Sequence, residues 1–292
     1  MPALLDAKGD TTVSVVLPCL DEEATVAEIV TRIRRRLVEG APLVDELVVM
    51  DSGSTDRSRE VAAAAGARVV RREDVVPDLA PVPGKGEVLW RSLAATTGDV
   101  VVFVDSDLRD FSPAFVTGLL GPLLTDPTVQ FVKATYDRHL HAGEEVLPAG
   151  GGRVTELVAR PLLALHWPAL TGFVQPLGGE YAARRSLLEA LVFPCGYGVE
   201  FGLLVDTYAR VGLDAMAQVD LARRKHRNGD LHKLGRMAVE ILQVAEARLD
   251  RRQAGTVELT QFDRDGSGYR IVDTVMNETE RPPMMTVRSG TG

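Results

Sequence analysis

The chain lacks most of the features that mark specialised classes of protein. Its two cysteines, Cys19 and Cys195, are far apart and match neither a disulfide framework nor a zinc motif. Residues 1–12 are short and polar, without the apolar core of a signal peptide. No uninterrupted apolar stretch reaches the roughly 18 residues of a membrane-spanning helix. These absences predict a cytoplasmic protein that has no membrane partner.

Basic charge is scarce relative to acidic charge. Lys and Arg number 33 against 41 for Asp and Glu, which gives a formal net charge of −8. This balance argues against a nucleic-acid or anionic-membrane partner. The chain also has neither Gly-x-x-x-x-Gly-Lys nor Gly-x-Gly-x-x-Gly. The absence of both motifs weakens the interpretations as an ATPase and as a dinucleotide-binding enzyme.

Apolar strand patterns alternate with helical ones, most regularly in the first half. The predicted strands are residues 13–17, 43–50, 68–71, 100–104, 129–136, 177–183 and 215–221. The predicted helices are residues 26–37 (capped by Asp21), 55–65, 86–95, 112–124, 153–165, 199–211 and 231–249. Strands separated by such helices indicate an α/β fold with a mostly parallel sheet. The polar, glycine-rich segment from residue 250 is expected to be partly extended or disordered.

An acidic triplet, Asp105-Ser106-Asp107, follows the apolar strand predicted at residues 100–104. Residues i and i+2 of a strand point the same way, so both carboxylates face one side. The carboxyl edge of an open α/β sheet is where ligands bind. Two carboxylates repel each other there unless a cation lies nearby, and a divalent metal that holds a diphosphate satisfies both. Ordinary turn chemistry is the alternative.

Polar segments also follow the first two strands, at residues 18–23 and 51–56. Their acidic and hydroxyl groups suit a base and a ribose, whereas helix capping is the alternative. Glycines 150–152 precede the helix predicted at 153–165, whose free N–H groups attract anions. Arg153 adds a planar fork that matches a phosphate, and Thr155 adds a hydroxyl. The helix dipole supplies only about 0.3–2 kcal/mol, so arginine and amides must supply most of the attraction. A flexible hinge beside a surface arginine is the alternative to this phosphate site.

In this order the segments resemble the GT-A fold of glycosyltransferases, which binds nucleotide-sugars. Four further motifs sharpen the resemblance: Pro83-Gly84-Lys85-Gly86-Glu87, Gly151-Gly152-Arg153-Val154-Thr155-Glu156-Leu157, Gly196-Tyr197-Gly198-Val199-Glu200 and His226-Arg227-Asn228. The set spans residues 13–252 and resembles the glucosyl-3-phosphoglycerate synthases, a retaining family (family 81). The resemblance implies a metal-dependent hexosyltransferase that moves glucose from UDP-glucose to the 2-hydroxyl of 3-phospho-D-glycerate. It also implies Mg²⁺, Mn²⁺ or Co²⁺ as cofactor and a homodimer.

The resemblance further implies roles for individual residues. Metal ligands are Asp107 and His226, and the catalytic residues are Asp107, Arg153 and Glu200. Donor-binding residues are Pro18, Cys19, Leu20, Asp21, Glu22, Ser52, Lys85, Asp105, Ser106, Tyr197, Gly198, Val199, Glu200, Arg224 and Arg227. Acceptor-binding residues are Gly152, Arg153, Val154, Thr155 and Asn228. Residues 1–136 form the nucleotide-sugar half of the domain, residues 137–253 the acceptor half, and residues 254–292 a polar tail.

Taken singly, Lys85 and His226 also fit ordinary surface positions, and Glu200 fits a helix N-terminus, which favours acids. Gly229 departs from the family pattern, which often has a basic residue there, and this calls one phosphate contact into question. The alternative functions are mannosyl transfer from GDP-mannose, transfer to a polyprenyl phosphate, nucleotidyl transfer and nucleotide binding without turnover. No residue stands out as a covalent nucleophile, which favours front-face attack assisted by a donor phosphate oxygen.

Overall fold

The fold is described by a computed structural model over residues 1–138, 140–142, 145–147, 152–224, 231–251, 256–265 and 268–289. Within these residues the strands are β1 (Val13–Cys19), β2 (Glu46–Asp51), β3 (Arg68–Arg71), β4 (Val100–Phe103), β5 (Phe131–Arg138), β6 (Leu140–Ala142), β7 (Glu145–Leu147), β8 (Tyr181–Arg184), β9 (Phe193–Pro194), β10 (Met216–Arg224), β11 (Val257–Asp265), β12 (Gly268–Met276) and β13 (Glu280–Arg281).

Ten helices accompany these strands within the described residues. They are α1 (Pro2–Lys8), α2 (Val26–Ile33), α3 (Ser58–Ala65), α4 (Lys85–Ala95), α5 (Ala114–Thr125), α6 (Arg160–His166), α7 (Arg185–Leu188), α8 (Val199–Val211), α9 (Leu231–Arg248) and α10 (Met284–Ser289). Turns of π type extend α2 over Arg34–Glu39 and precede α6 over Thr155–Ala159. Across the described residues, every helix is too short or too polar to span a bilayer.

Seven strands form one sheet in the order β10-β5-β8-β4-β1-β2-β3. All neighbouring pairs are parallel except those of β8, which runs antiparallel between β4 and β5. Successive strand residues point to opposite faces, so Val16 belongs to one apolar cluster while Val15 and Leu17 belong to another. The predicted α/β fold with a mostly parallel sheet is therefore confirmed.

The first long helix forms where the apolar spacing predicts it, but its predicted cap is wrong. Val26, Ile29, Val30 and Ile33 recur at helical spacing and are all buried. The helix begins after Thr25 without a side-chain cap. Asp21 instead adopts a positive φ of 56° and accepts the amides of the neighbouring loop, residues 55 and 56, at 2.7 and 3.3 Å. Its carboxylate therefore joins two loops rather than starting a helix.

The segment after residue 250 departs most from expectation. Strands β11 and β12 pair as an antiparallel hairpin, which is extended as predicted. The chain then returns to the body of the protein, where β13 pairs with β9. Met276 and Met284 are buried, and the Trp90 indole donates to the Pro282 carbonyl at 2.8 Å. Residues 276–284 therefore pack against the body of the protein at Met276, Trp90 and Met284, a docking that the expectation of a partly extended or disordered tail did not include.

Candidate active site

A cavity of about 600 Å³ opens beside the ends of β1 and β4 and the N-termini of α4 and α8. It lies at the carboxyl edge of the sheet, as expected for ligand sites of open α/β folds. The predicted site residues on its wall are Asp21, Glu22, Lys85, Asp105, Asp107, Gly152, Arg153, Val154, Thr155, Tyr197 and Glu200. The cavity therefore brings together the donor motifs and the acceptor motif.

Lys85 forms the centre of an ion cluster in this cavity. Its Nζ lies 2.5 Å from Asp105 Oδ1 and 2.7 Å from Glu200 Oε1. Burial by itself would lower the pKa of the ammonium, but the two carboxylates outweigh burial and hold this pKa well above its usual value. Lys85 is therefore charged at neutral pH and fixes two acids that come from different elements.

Glycines are required where backbone segments approach this cluster. Gly179 packs so closely that a Cβ at this position would collide with the Asp105 carboxylate and the Lys85 ammonium. Gly84 has a φ of 120°, which L side chains rarely adopt. A Cβ at Gly86 would collide with the Pro194 carbonyl. These contacts explain why small residues flank the lysine.

The acidic triplet divides between the cavity and the core. Asp105 and Asp107 both line the cavity, as predicted from their i, i+2 spacing. Ser106 is buried between them, and its hydroxyl donates to the Pro18 carbonyl at 2.6 Å. Its own carbonyl accepts from the Thr25 hydroxyl at 2.6 Å. Ser106 and Pro18 therefore tie β4 to β1 rather than line the cavity.

The described side chains fit a divalent metal that is held partly by a ligand. Mg²⁺ is usually bound by one or two carboxylates together with substrate phosphates, and Asp107 supplies such a carboxylate at the cavity wall. Within the described ranges there is no group of three or more His, Cys, Asp or Glu side chains arranged to hold a metal. His226, the second predicted ligand, lies outside these ranges.

The two polar segments after β1 and β2 interlock. The Asp21 amide donates to Ser54 Oγ at 3.1 Å, and the Glu22 amide donates to Ser58 Oγ at 2.7 Å. The Ser52 amide donates to the Cys19 carbonyl at 2.8 Å. These bonds satisfy loop amides and hold Asp21 and Glu22 at the cavity.

The remaining residues predicted in these segments do not line the cavity. Leu20 is exposed, whereas Cys19 is buried and burial raises the pKa of its thiol to about 11. Ser52 Oγ lies 3.5 Å from Arg72 Nη1. The predicted donor contacts of these three residues stay predictions.

The acceptor motif lies at the start of the helix that leads into α6. Gly152 has a φ of 78°, and its carbonyl accepts the Glu156 amide at 2.9 Å. Arg153 lines the cavity, and Val154 is buried in the apolar core. The buried Thr155 hydroxyl has no hydrogen-bond partner among the described residues. Such a hydroxyl costs stability unless a ligand pairs with it, so this wall is suited to a polar ligand.

The residues of the motif at 196–200 have different surroundings. Tyr197 and Glu200 line the cavity. Gly198 directly precedes α8, and a Cβ there would meet Val244 of α9 at 2.5 Å, whereas Val199 is fully buried. Gly198 therefore packs closely against α9, and the Val199 side chain lies in the core. Donor contacts by these two residues stay predictions.

The last predicted motif is mostly outside the described residues. Arg224 ends β10, and its side chain is not described. His226, Arg227 and Asn228 lie outside the described residues, as does Gly229. Their predicted metal, donor and acceptor contacts stay predictions.

Comparison with known proteins identifies the family. The profile of Glycosyl transferase family 2 matches residues 14–147. Glucosyl-3-phosphoglycerate synthase from Mycolicibacterium smegmatis is 54% identical over 282 residues, which cover 97% of this chain and 92% of that protein. The enzyme of the same name from Petrotoga mobilis is 43% identical over 289 residues, which cover 97% and 89%. The chain belongs to the glucosyl-3-phosphoglycerate synthases.

Solved structures of this synthase family have the same fold. A crystal structure of the Mycobacterium tuberculosis synthase in complex with Mn²⁺, uridine diphosphate (UDP) and phosphoglyceric acid matches with a TM-score of 0.89 at 50% identity. The match covers 98% of this chain and 95% of that one. A complex with Mn²⁺, UDP-glucose and phosphoglyceric acid matches with a TM-score of 0.86 at 50% identity, covering 98% and 94%.

The synthase cavity also contains residues that had no individual role predicted from the sequence. They are Glu23, Ala24, Thr25, Asp56, Arg109, Leu177, Gly179, Lys233, Leu234 and Met237. Glu23 and Asp56 nevertheless belong to the polar segments predicted to suit a base and a ribose. Arg109 follows Asp107 by two residues, a spacing that extends the pattern of the acidic triplet. Leu234 and Met237 belong to the apolar face of α9, which the sequence presents as core. The Gly178-Gly179 pair was the only local signal for a close approach at Gly179.

Proposed function

We propose that this chain transfers glucose from UDP-glucose to the 2-hydroxyl of 3-phosphoglycerate, with retention of configuration and release of UDP. The single observation that carries this proposal is one cavity with two kinds of wall. The Lys85–Asp105–Glu200 ion cluster and Asp107 form one wall, and Gly152, Arg153 and Thr155 form the other. A sugar donor and a phosphorylated acceptor can therefore meet in it.

The relatives support both substrates. The Mycobacterium tuberculosis synthase has been crystallised with UDP-glucose and phosphoglyceric acid together, and with its product glucosyl-3-phosphoglycerate. The metal in those complexes is Mn²⁺, and a further complex contains Mg²⁺ and UDP. The chain is similar to these proteins over almost its whole length, so we assign the same donor, acceptor and metal requirement to it.

The metal would be held by Asp107 and His226. When bound, such an ion neutralises the diphosphate and stabilises the charge that develops on the leaving UDP. Asp107 contributes a carboxylate from the loop that directly follows β4, so its position is set by the sheet. Lys85 holds the neighbouring Asp105 at 2.5 Å, which leaves the two acids of the triplet in different electrostatic surroundings.

On the donor side, Glu200 is engaged as an ion-pair partner rather than as a nucleophile. Its Oε1 lies 2.7 Å from Lys85 Nζ, and this pairing lowers the reactivity of the carboxylate while leaving it able to accept sugar hydroxyls. Tyr197 lies beside it on the wall. We therefore retain front-face attack, assisted by a donor phosphate oxygen. Trapping of a glucosyl adduct on any side chain would overturn this mechanism.

On the acceptor side, Arg153 and Thr155 bind the phosphate of 3-phosphoglycerate. The arginine offers a bidentate fork, and the threonine offers the buried hydroxyl that is unpartnered among the described residues. The N-terminus of the helix adds backbone N–H donors. Fixing the phosphate holds the acceptor hydroxyl near the anomeric carbon, and such positioning is a large part of catalysis.

The test is product identification. The protein is incubated with Mg²⁺, 3-phosphoglycerate and either UDP-glucose or GDP-mannose, and the products are identified by mass. We expect glucosyl-3-phosphoglycerate and UDP from UDP-glucose, with much slower turnover of GDP-mannose. Preferred turnover of GDP-mannose, or pyrophosphate release from a nucleoside triphosphate and a sugar phosphate, would contradict the proposal.

We also propose a homodimer. Phe262, Tyr269, Ile271 and Val275 are more than half exposed on one face of the β11–β12 hairpin, where Phe262 pairs directly with Ile271. A second copy would cover this apolar face. Light scattering of the parent and of Phe262→Asp with Ile271→Asp tests the proposal, because a parent that is monomeric refutes it.

A cytoplasmic location is likewise a proposal. Both cysteines of the chain are free thiols and buried, as is usual for proteins of a reducing compartment. Cell fractionation tests it. The division of the chain into halves at residue 136 and a tail from residue 254 stays a prediction.

A further inference from the structure

Two glutamates from the C-terminal part of the chain hold the loop that presents Tyr197. Glu278 Oε1 accepts the Gly196 amide at 3.0 Å, and Glu240 Oε2 accepts the Tyr197 amide. A Cβ at position 196 would collide with Glu240 and would lie 2.7 Å from Glu278 Oε2. The two carboxyl groups therefore close around consecutive amides of one loop.

The same loop is fixed by backbone bonds to two other elements. Cys195 donates its amide to the Thr279 carbonyl at 2.7 Å, and its own carbonyl accepts the Glu87 amide at 3.1 Å. Glu87 in turn accepts from the Arg281 guanidinium at 2.6 and 2.9 Å. Residues 278–281 thus connect this loop to the first turn of α4, where Lys85 lies.

Holding the amides of Gly196 and Tyr197 with Glu278 and Glu240 lowers stability, because both carboxyl groups are taken out of water. Glu278 is only 6% exposed. Burial, with help from the nearby Glu240 and Glu280, raises its pKa to about 7, against the opposing amide of Gly196. Burial also raises the pKa of Glu240, although the Tyr197 amide and Arg236 oppose this. Buried, mutually repelling acids of this kind are typical of functional sites rather than of positions that serve stability alone.

We propose that Glu240 and Glu278 are positioning residues for the donor sugar. By holding the loop before α8 they set the place of Tyr197, which lines the cavity, and of Glu200, which pairs with Lys85 at 2.7 Å. A shift of the loop moves both side chains, because α8 begins at Val199 directly after it. This inference rests on the proposed function, since it assigns the sugar of the donor to this end of the cavity.

The test compares alanine, aspartate and glutamine at each position. Glu246→Ala, which changes a half-buried glutamate on the same helix as Glu240, is the matched control. The readouts are the Kd of UDP-glucose and of UDP in Mg²⁺ by calorimetry, the KM for the acceptor, kcat, and the melting temperature. We expect each alanine variant to weaken UDP-glucose binding roughly tenfold, the scale of one lost hydrogen bond to a charged group. The Kd of UDP, which has no sugar, and the acceptor KM should stay unchanged.

Glutamine keeps an oxygen acceptor at the same distance and should restore most of the lost affinity. Aspartate keeps the charge but withdraws the acceptor by one methylene, so it should resemble alanine. If the alanine variants do not fold, the aspartate variants give the same ratio of the two Kd values and decide the matter.

Native melting with unchanged UDP-glucose affinity would overturn the proposal, and so would an equal loss of affinity for UDP and UDP-glucose. If the parent binds UDP-glucose but makes no product from 3-phosphoglycerate, the proposed function fails while the Kd ratio still decides the positioning role. A parent that binds neither nucleotide overturns both.

Discussion

Replacing Gly179 by alanine tests whether the ion cluster is the organising element of the site. The backbone of Gly179 has no positive φ, so alanine is allowed there conformationally. The added methyl group would nevertheless collide with both carboxylate oxygens of Asp105 and with Lys85 Nζ. Lys85 is held by Glu200 as well, so the cluster cannot move without displacing a second acid.

The expected size of the effect follows from these contacts. Inserting a methylene into a packed site typically costs about 1–3 kcal/mol of stability. A catalytic group misplaced by about 1 Å can cost roughly a hundredfold in rate. Gly179→Ala should therefore lower the melting temperature moderately and reduce kcat/KM for UDP-glucose by roughly a hundredfold, since both partners of Lys85 line the cavity proposed for the donor.

Gly172→Ala is the matched control, because its added Cβ would meet no atom within 4 Å and its φ is also ordinary. Both variants are measured by thermal melting and by steady-state kinetics with saturating 3-phosphoglycerate. Turnover of Gly179→Ala that equals that of Gly172→Ala, at equal melting temperature, would refute the assignment of the ion cluster to the donor site.

Four other changes test separate parts of the site. Asp107→Ala should abolish activity and its metal dependence without unfolding the chain, so full turnover in EDTA would contradict the metal role. Arg153→Ala should raise the KM for the phosphorylated acceptor but leave the Kd of UDP unchanged, and equal loss of both would argue against a separate acceptor wall. Lys85→Met leaves two neighbouring carboxylates without their cation and should cost roughly 3–5 kcal/mol of stability, seen in urea unfolding as a loss that shrinks at low pH. The pKa of Glu278 is raised from 4.5 to about 7 in the folded state, so protonated Glu278 favours folding at low pH, and this stabilisation is lost as the pH rises through 7. Glu278→Gln should remove this decrease from the pH dependence of the free energy of unfolding. An unchanged pH dependence would refute the raised pKa.

Much of the fold could be predicted because strong apolar periodicity in the sequence coincides with its helices and strands. Residues 68–71 and 199–211 were predicted with the bounds that β3 and α8 have. The strand predicted at 177–183 begins only at Tyr181 and runs antiparallel. Neither its late start nor its direction can be predicted from the local sequence. The direction of a strand depends on the connection that brings it beside its neighbours.

The hairpin after residue 256 shows a different reason for failure. Residues 257–264 alternate between half-buried and exposed, but the sequence alternates apolar and polar side chains only over Val257-Glu258-Leu259-Thr260. The pattern is weak because the half-buried face, which packs against α9, carries polar side chains such as Gln261 and Asp263. Arg281 and Glu278 then act on partners that are 194 and 82 residues away, and no local pattern can predict such contacts.

The motifs predicted residues that meet in one cavity, but not how Lys85 is paired. A glycine-flanked lysine before a helix suits a phosphate on physical grounds. In the structure its ammonium lies between two carboxylates, one from the loop after β4 and one from α8. Since those acids follow the lysine by 20 and 115 residues in the sequence, their approach depends on the order of strands in the sheet.

The distribution of the site along the chain also indicates where its specificity arises. The match to Glycosyl transferase family 2 covers residues 14–147, which include Lys85, Asp105 and Asp107 but neither Arg153 nor Glu200. The matched residues can therefore supply only part of the proposed metal and donor site, since His226, Tyr197 and Glu200 lie beyond residue 147. The residues proposed for the acceptor and for the sugar of the donor come later in the chain, within the near full-length matches to the synthase relatives. Exchanging the segment after residue 147 between related enzymes should accordingly transfer acceptor choice, whereas exchanging the segment before it should not.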